Sequence, residues 1–171
     1  MLLQPIQGRV AYLFGDDDFD VDQIVGVKNI KLQDVEKLCD VAMARFDPNF
    51  RQTVRPGDVL VGGQNFGYGH PHYPAMRAMR HMGIAAVIAE SFFPPYWNGE
   101  ISMGFPQIVC PGITSAVERW DDIAIDWGAQ ELRLPGKGIA LPIQAYSPTE
   151  ARILEAGGFK RYLRQATHQE S

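Results

Sequence analysis

The pattern of apolar and polar positions divides the chain into short apolar runs and segments with helical spacing. The short runs predict eight strands, at residues 8–14, 23–27, 58–62, 84–89, 107–110, 123–127, 131–134 and 139–143. Only three residues separate the runs at 123–127 and 131–134, and so short a connection favours a β-hairpin. A helical segment separates the runs at 58–62 and 84–89, which predicts a βαβ unit with parallel strands.

Several segments carry helix signals. Residues 32–46 place their apolar side chains at the i, i+3, i+4, i+7 spacing of an amphipathic helix. Residues 75–82 are good helix formers and follow a proline suited to a first turn, and residues 91–104 are partly helical. The clearest signal is the capping box Ser147-Pro-Thr-Glu150, which predicts a helix as far as Gly157, with a last turn or two at 159–165. Together the elements predict an α/β fold with a mixed sheet.

Composition limits the classes to which the chain can belong. Its 171 residues are 46% apolar and 21% charged, which fits one domain over residues 1–171. The formal net charge of −4 gives no reason to expect nucleic-acid binding, and no apolar run approaches the length of a membrane span. The first residues lack the pattern of a signal peptide, so we expect a cytoplasmic location. Cys39 and Cys110 form no CxxC motif and are expected in the core.

The loop between the predicted strand at 58–62 and the helix at 75–82 contains the residues best suited to binding or catalysis. It contains Gly67-Tyr68-Gly69, followed by His70, His72 and Tyr73. Glycine lets a ligand approach the backbone closely, and the N–H groups at a helix N-terminus favour negative charge. The loop therefore predicts an anion site whose donors are the main-chain N–H groups of residues 67 to 72. An ordinary strand-to-helix turn would explain the glycines equally well.

Six segments, taken in order, carry a resemblance to a known family. They are Gly8-Arg-Val10 with Phe14-Gly-Asp16, Asp18-Phe-Asp-Val-Asp-Gln-Ile24, Pro56-Gly-Asp-Val-Leu-Val-Gly-Gly-Gln-Asn-Phe-Gly-Tyr-Gly69, Val87-Ile-Ala-Glu-Ser-Phe92, Met103-Gly-Phe-Pro106 and Ile153-Leu-Glu-Ala-Gly-Gly-Phe-Lys-Arg-Tyr-Leu-Arg164. These segments resemble the small subunit of isopropylmalate isomerase, which corresponds to the swivelling C-terminal domain of aconitase. The matches run nearly from end to end of the chain.

The resemblance implies a fold, an activity and a partner. It implies a single swivelling β/β/α-type domain that serves as the small subunit of a hydro-lyase, similar to 3-isopropylmalate dehydratase. It further implies a [4Fe–4S] cluster in an iron–sulfur large subunit, so that this chain itself binds no metal or cofactor. The implied substrate is a malate-like hydroxy di- or tricarboxylate. Asp20, Asp22 and Gln23 are implied to lie near the active-site face.

The sequence departs from the family in the loop that carries the active-site residues. Where the family reads S-S-R-E-H-A-P, with a serine base and an arginine that binds a carboxylate, this chain reads His70-Pro-His-Tyr-Pro-Ala-Met76. His70 stands where the family has its serine base, and a neutral imidazole is a better base near pH 7 than an unactivated hydroxyl group, so His70 is a candidate for the base. A loop histidine that is solvated or caps the helix would explain this residue equally well. His72 stands in the place of the arginine, so carboxylate binding there is expected to be weaker and pH-dependent unless Arg77 or Arg80 points back, and both histidines are candidate catalytic residues. The other predicted substrate contacts are Gly67, Tyr68, Gly69, Tyr73 and Arg77.

Alternative interpretations remain open. His70 and His72 could bind zinc, although no third ligand has a recognisable spacing. The chain could also be a non-catalytic anion-binding or partner module on the same fold, or a self-contained histidine-dependent enzyme without a cluster. A calcium loop at residues 18–22 is excluded, because the EF-hand register requires glycine at Gln23 and glutamate at Asn29.

Overall fold

The computed structural model describes residues 3–70 and 72–168, and seven of its strands form one mixed sheet. The strands follow one another in space in the order β4-β3-β2-β1-β5-β6-β7. Strands 1 to 4 are parallel neighbours, whereas β1, β5, β6 and β7 pair in antiparallel fashion. Their bounds are β1 (Ile6–Leu13), β2 (Val59–Gly62), β3 (Ala86–Ala89), β4 (Gln107–Val109), β5 (Asp122–Asp126), β6 (Glu131–Leu134) and β7 (Ile139–Pro142).

Helices and helical turns connect and cover the strands. Their bounds are α1 (Asp22–Val25), α2 (Val35–Val41), α3 (Phe50–Thr53), α4 (Pro74–His81), α5 (Pro94–Ser102), α6 (Ile113–Ala116), α7 (Pro148–Ala156) and α8 (Phe159–His168), with a 3-10 turn at Val27–Asn29. None of the helices within residues 3–70 and 72–168 is long and apolar enough to cross a membrane.

Two hydrophobic clusters occupy the two faces of the sheet. Leu60 and Val87 belong to the cluster that includes α2 and α4, while Val59 and Ile88 belong to the cluster that includes Ile113 of α6. Successive residues of one strand thus enter different clusters, as the alternation of side chains along a strand requires. Both faces of the parallel strands are therefore covered, which accounts for their continuous apolar runs.

The predicted α/β class with a mixed sheet is confirmed, and so are several of its elements. Strands β2 and β3 are parallel and flank α4, while β5 and β6 form the predicted antiparallel hairpin. The capping box of α7 is formed, because Ser147 accepts a hydrogen bond from the Glu150 amide and the Glu150 carboxylate accepts one from the Ser147 amide. Gly157, in the left-handed region, ends this helix.

Two sequence predictions require correction. The predicted strand at 23–27 is wrong, since these residues begin in α1 and the Ile24 amide donates locally to the Val21 carbonyl. A short apolar run cannot by itself distinguish a strand from a buried turn of helix. The predicted helix at 32–46 is shorter, because Asp34 caps α2 and the chain turns extended at Ala42 and left-handed at Met43.

Candidate functional site

Three loops meet at the carboxyl ends of the parallel strands β1, β2 and β3. They are an acidic loop at residues 15–21, a glycine loop that comprises residues 63–70, 72 and 73, and a short connection at residues 90–93. The Gly67 amide donates to the Phe19 carbonyl at 2.9 Å, and the Phe66 amide donates to the Ser91 carbonyl at 3.0 Å. In α/β proteins, ligands bind beyond the carboxyl ends of parallel strands, so these loops form the candidate site.

An aromatic cluster holds the glycine loop in place. The ring of Phe66 is fully buried and lies 5.4 Å from the ring of Phe19 and 5.6 Å from that of Tyr96. These three side chains come from the glycine loop, the acidic loop and α5. Aromatic pairs of this kind contribute stabilising free energy beyond that from the area each ring buries. The contacts therefore hold the two loops and α5 in fixed positions relative to one another.

Two glycines of the glycine loop have positive φ angles. Gly67 has φ +88°, and a Cβ atom there would lie 2.1 Å from Cγ of Tyr96, so the packing admits no side chain. Gly69 has φ +114°, and a Cβ atom there would lie 3.2 Å from Oδ2 of Asp20. The two glycines allow the backbone to pass directly over α5 and the acidic loop.

His72 forms a pair with a buried carboxylate across these loops. Its Nδ1 lies 2.5 Å from Oδ2 of Asp22, the first residue of α1, whose side chain is 7% exposed. Burial raises the pKa of Asp22, and so does nearby Asp20, whereas the hydrogen bond to His72 lowers it. The other carboxylate oxygen, Oδ1, is buried and has no hydrogen-bond partner among the described residues.

His70 lies in a different environment from His72. Its side chain is exposed, and its ring centroid is 6.3 Å from that of His72. Among residues 3–70 and 72–168 no hydrogen bond holds this imidazole. The two histidines therefore share one edge of the site, but only His72 has an anchored ring.

A narrow cleft lies beside the two imidazoles, between the glycine loop and α5. It is lined by Val21, Gly67, His70, His72, Tyr73, Pro95, Tyr96, Gly99 and Glu100. Glu100 is 2% exposed, and its carboxylate accepts a hydrogen bond from Nη1 of Arg80 at 2.6 Å. Burial raises the pKa of Glu100 to about 7, although Arg80 opposes the shift. The Tyr96 hydroxyl is buried without a described partner, and burial raises its pKa well above the ordinary value.

The raised pKa of Glu100 predicts a pH dependence of stability. Between about pH 4.5 and 7 the folded protein holds a proton on Glu100 that the unfolded chain has lost, so stability falls as the pH rises through this window. A shift of this size corresponds to on the order of 3 kcal/mol in the free energy of unfolding. We expect Glu100→Gln to remove this slope, as measured by urea unfolding at pH 5 and pH 8.

The exposed Glu118 supplies a matched control for that experiment. Glu118→Gln removes the same charge and should leave the pH dependence of the parent unchanged. An equal slope in the parent and the Glu100→Gln protein would show that burial of Glu100 does not govern its ionisation.

The structure brings together most of the residues predicted from the sequence. Both predicted aspartates lie beside the glycine loop, since the Asp20 carboxylate lies against Gly69 and the Asp22 carboxylate pairs with His72. Tyr73 lies against Gly99 within the cleft, while Tyr68 is half exposed and packs on Phe93.

Two predicted substrate contacts point elsewhere. Arg77 donates to the Gln33 carbonyl, and Gln23 accepts a hydrogen bond from Arg45 at 3.1 Å, so neither lines the cleft. The sequence did not point to Tyr96 or Glu100, which also line the cleft. The only signal for Glu100 was one acidic residue in a largely apolar segment.

The described residues offer no metal centre. No group of three or more His, Cys, Asp or Glu side chains in residues 3–70 and 72–168 could hold a metal ion. Cys39 and Cys110 are both buried, and they belong to the hydrophobic clusters on opposite faces of the sheet. Burial raises the pKa of both thiols, that of Cys110 to about 12, which disfavours the thiolate that a metal requires.

Comparison with known proteins gives consistent relatives. No protein-family model matches the sequence. The 3-isopropylmalate dehydratase small subunit 1 of Methanopyrus kandleri is 37% identical over 160 residues, which cover 94% of this chain and 93% of the relative. The isopropylmalate/citramalate isomerase small subunit and the methanogen homoaconitase small subunit of Methanocaldococcus jannaschii are 35% and 34% identical, each over 94% of this chain and over 94% and 92% of their own lengths. The crystal structure of a 3-isopropylmalate dehydratase from the same organism superposes with a TM-score of 0.87 at 32% identity, covering 98% of both chains.

Proposed function

This chain belongs to the family of 3-isopropylmalate dehydratase small subunits, aconitase-type hydro-lyases, and from that premise we propose that it acts on a malate-like hydroxy di- or tricarboxylate. The observation that carries the proposal is the pair of imidazoles at the carboxyl edge of the parallel strands. They occupy the loop in which the family is expected to have its serine and arginine. In this proposal the chain keeps the fold of the family, while two histidines take the place of the serine and the arginine beside the substrate.

We propose that the partner is an iron–sulfur large subunit. A [4Fe–4S] cluster in that subunit would act as a Lewis acid toward the substrate hydroxyl and carboxylate. Nothing among the described residues of this chain suits such a cluster, since its two cysteines are buried on opposite faces of the sheet. This chain would close over the bound substrate as a single swivelling domain and supply the proton-transfer group and further anion contacts. The cytoplasm stays the compartment we expect.

The elimination asks for two kinds of group from this chain. One must accept the proton from the carbon next to a carboxylate, and a neutral imidazole can do so near pH 7. Another must bind a carboxylate, which the backbone N–H groups of the glycine loop or a protonated imidazole can do. His70 and His72, on one edge of the site, are our candidates for these tasks, with Tyr68 and Tyr73 beside the rest of the substrate.

The substrate class can be tested with the assembled two-subunit enzyme. A panel of 2-hydroxy and 3-hydroxy di- and tricarboxylates is followed by the ultraviolet absorbance of the new C=C bond. Elimination from at least one of these acids, and none from matched hydroxy monocarboxylates, is the expected result. Equal turnover of the monocarboxylates would contradict a site built for two carboxylates.

Replacing Gly69 is expected to weaken anion binding by the backbone N–H groups of the glycine loop. The Gly67 amide already bonds to Phe19 and proline has no N–H, so the remaining donors in the predicted range are the amides of residues 68 to 70 and 72. Gly69→Val forces a branched side chain into a conformation with positive φ and toward Asp20, which displaces these amides. We expect dicarboxylate affinity, measured by calorimetry on the assembled enzyme, to fall by about tenfold or more, while the loop position preserves the fold.

Gly136→Val is the matched control, because Gly136 is exposed outside the three loops and a Cβ atom there would have no neighbour within 4 Å. This variant should bind dicarboxylates like the parent. If the Gly69→Val protein also bound them as tightly as the parent, the glycine loop would not be the anion site.

A further inference from the structure

We propose that His72, held in place by Asp22, is the group that accepts the substrate proton. This inference rests on the proposed function and assigns the base within it. The base would then lie two positions beyond His70, which stands at the place of the family's serine. Asp22 would be a positioning residue, since it acts on the substrate only through the imidazole.

The hydrogen bond between the two side chains fixes the chemical form of His72. An ionised carboxylate can only accept, so Nδ1 of the imidazole carries the proton that it donates to Asp22. The neutral ring then has its lone pair on Nε2, which makes no hydrogen bond to the described residues. His72 lines the cleft, and Nε2, the basic nitrogen, is the ring nitrogen to which Asp22 is not bonded.

Burial of Asp22 makes the pair suited to receiving a proton. The carboxylate is nearly removed from water, its Oδ1 has no described partner, and burial raises its pKa. An imidazolium ion at His72 would place a positive charge directly against this poorly solvated carboxylate. The charge that forms when the ring takes a proton is therefore stabilised by a group already in position, as in other carboxylate–histidine pairs.

The surroundings of His72 include both signs of charge. Asp20 of the acidic loop and Asp22 at the start of α1 face it, and His70 lies beside it on its own loop. On the other side of the cleft are Glu100 of α5, paired with Arg80 of α4, and the hydroxyl of Tyr96. His70 has no comparable anchor, and its exposed ring would lose side-chain entropy on adopting one reactive geometry.

The proposed step is a balanced elimination of water. Nε2 of His72 forms a bond to the proton on the carbon next to a carboxylate, and the electron pair of that C–H bond becomes the new C=C bond. The hydroxyl group on the neighbouring carbon leaves with the electron pair of its C–O bond. The proton and the hydroxide together are the water that is lost, and no electrons are gained or lost overall.

The test compares isosteric variants in the assembled two-subunit enzyme. Asp22→Asn keeps the size of the side chain but can donate to Nδ1, which favours the opposite tautomer. We expect kcat to fall by about 10²–10⁴-fold with KM changed by less than about threefold, and His72→Gln to give a similar loss. The acid limb of the kcat/KM profile, which reports protonation of the base, should persist in His70→Gln and vanish in His72→Gln.

Asp34→Asn makes the same change at an exposed position outside the three loops, where asparagine can still cap α2, and should behave like the parent. Side-chain NMR of the full chain gives a readout independent of activity: a protected Nδ1–H proton of His72 that Asp22→Asn abolishes. If the parent complex eliminates water but His72→Gln keeps the acid limb, the inference is overturned while the proposed function stands. If the parent complex is inactive on every hydroxy di- and tricarboxylate, the proposed function is overturned, and this assignment with it.

Discussion

Alone, the purified chain is expected to be folded, colourless and without dehydratase activity, and to gain that activity only with an iron–sulfur large subunit. The physical reason is that departure of a hydroxyl group requires strong acid assistance, and the described residues contain no metal centre to supply it. The measurement is the rate of C=C formation by the chain, by the partner and by their mixture. We expect no detectable turnover by the chain alone and a normal rate by the mixture.

A partner preparation from which the iron has been removed by a chelator is the control for this result. It should bind the chain without restoring turnover. Dehydratase activity from the isolated, iron-free chain would instead identify a self-contained histidine-dependent enzyme. Binding of carboxylates with no turnover by any complex would identify a non-catalytic module.

The double substitution His70→Ser with His72→Arg, which restores the family pattern, is expected to lower activity on the native substrate by about 10²–10⁴-fold. An unactivated serine hydroxyl is a weaker base than imidazole near pH 7, and arginine is permanently charged and cannot accept a proton. The buried Asp22 carboxylate lies at hydrogen-bond distance from Nδ1 of His72, and Pro74 restricts the backbone that follows His72. The site is therefore shaped for an imidazole at this position. The comparison is of kcat and kcat/KM for the parent and the double variant in the assembled enzyme.

His81→Arg is the matched control, since His81 is exposed at the other end of α4 and pairs with Glu36. An arginine there keeps the ion pair, and activity should be unchanged. Full activity of the His70→Ser, His72→Arg protein would show that the two histidines are tolerated replacements and not the working groups of the site.

Local sequence signals predicted the elements that local chemistry determines. The capping box at Ser147, the proline that begins α4 and the four-residue connection between β5 and β6 each fix a boundary through neighbouring residues. The parallel strands were found because burial on both faces leaves continuous apolar runs. The glycines of the glycine loop were also found, although the reason for Gly67 is its contact with Tyr96, which the sequence does not reveal.

The missed features depend on contacts between distant parts of the chain. Asp22 and Gln23 are neighbours with the same predicted role, but only Asp22 points to the imidazoles, because α1 turns Gln23 toward Arg45. Arg77 follows the glycine loop closely in sequence, yet one turn of helix directs it to the Gln33 carbonyl. Glu100 lines the candidate cleft because α5 packs beside the glycine loop, and that contact joins distant parts of the sequence. In each case tertiary packing decides where a side chain points.

The central position of β1 has a consequence for how the protein forms during synthesis. Ile6 pairs with Ile125 of β5, while Val10 of the same strand pairs with Val59 of β2. As the chain leaves the ribosome, β1 to β4 can assemble before β5 is synthesised. Until β5 emerges, the backbone N–H and C=O groups along one edge of β1 have no partner strand. An open strand edge of this kind invites pairing with other chains. Translation speed between β4 and β5 should therefore influence how much of the nascent chain reaches the native state and how much aggregates.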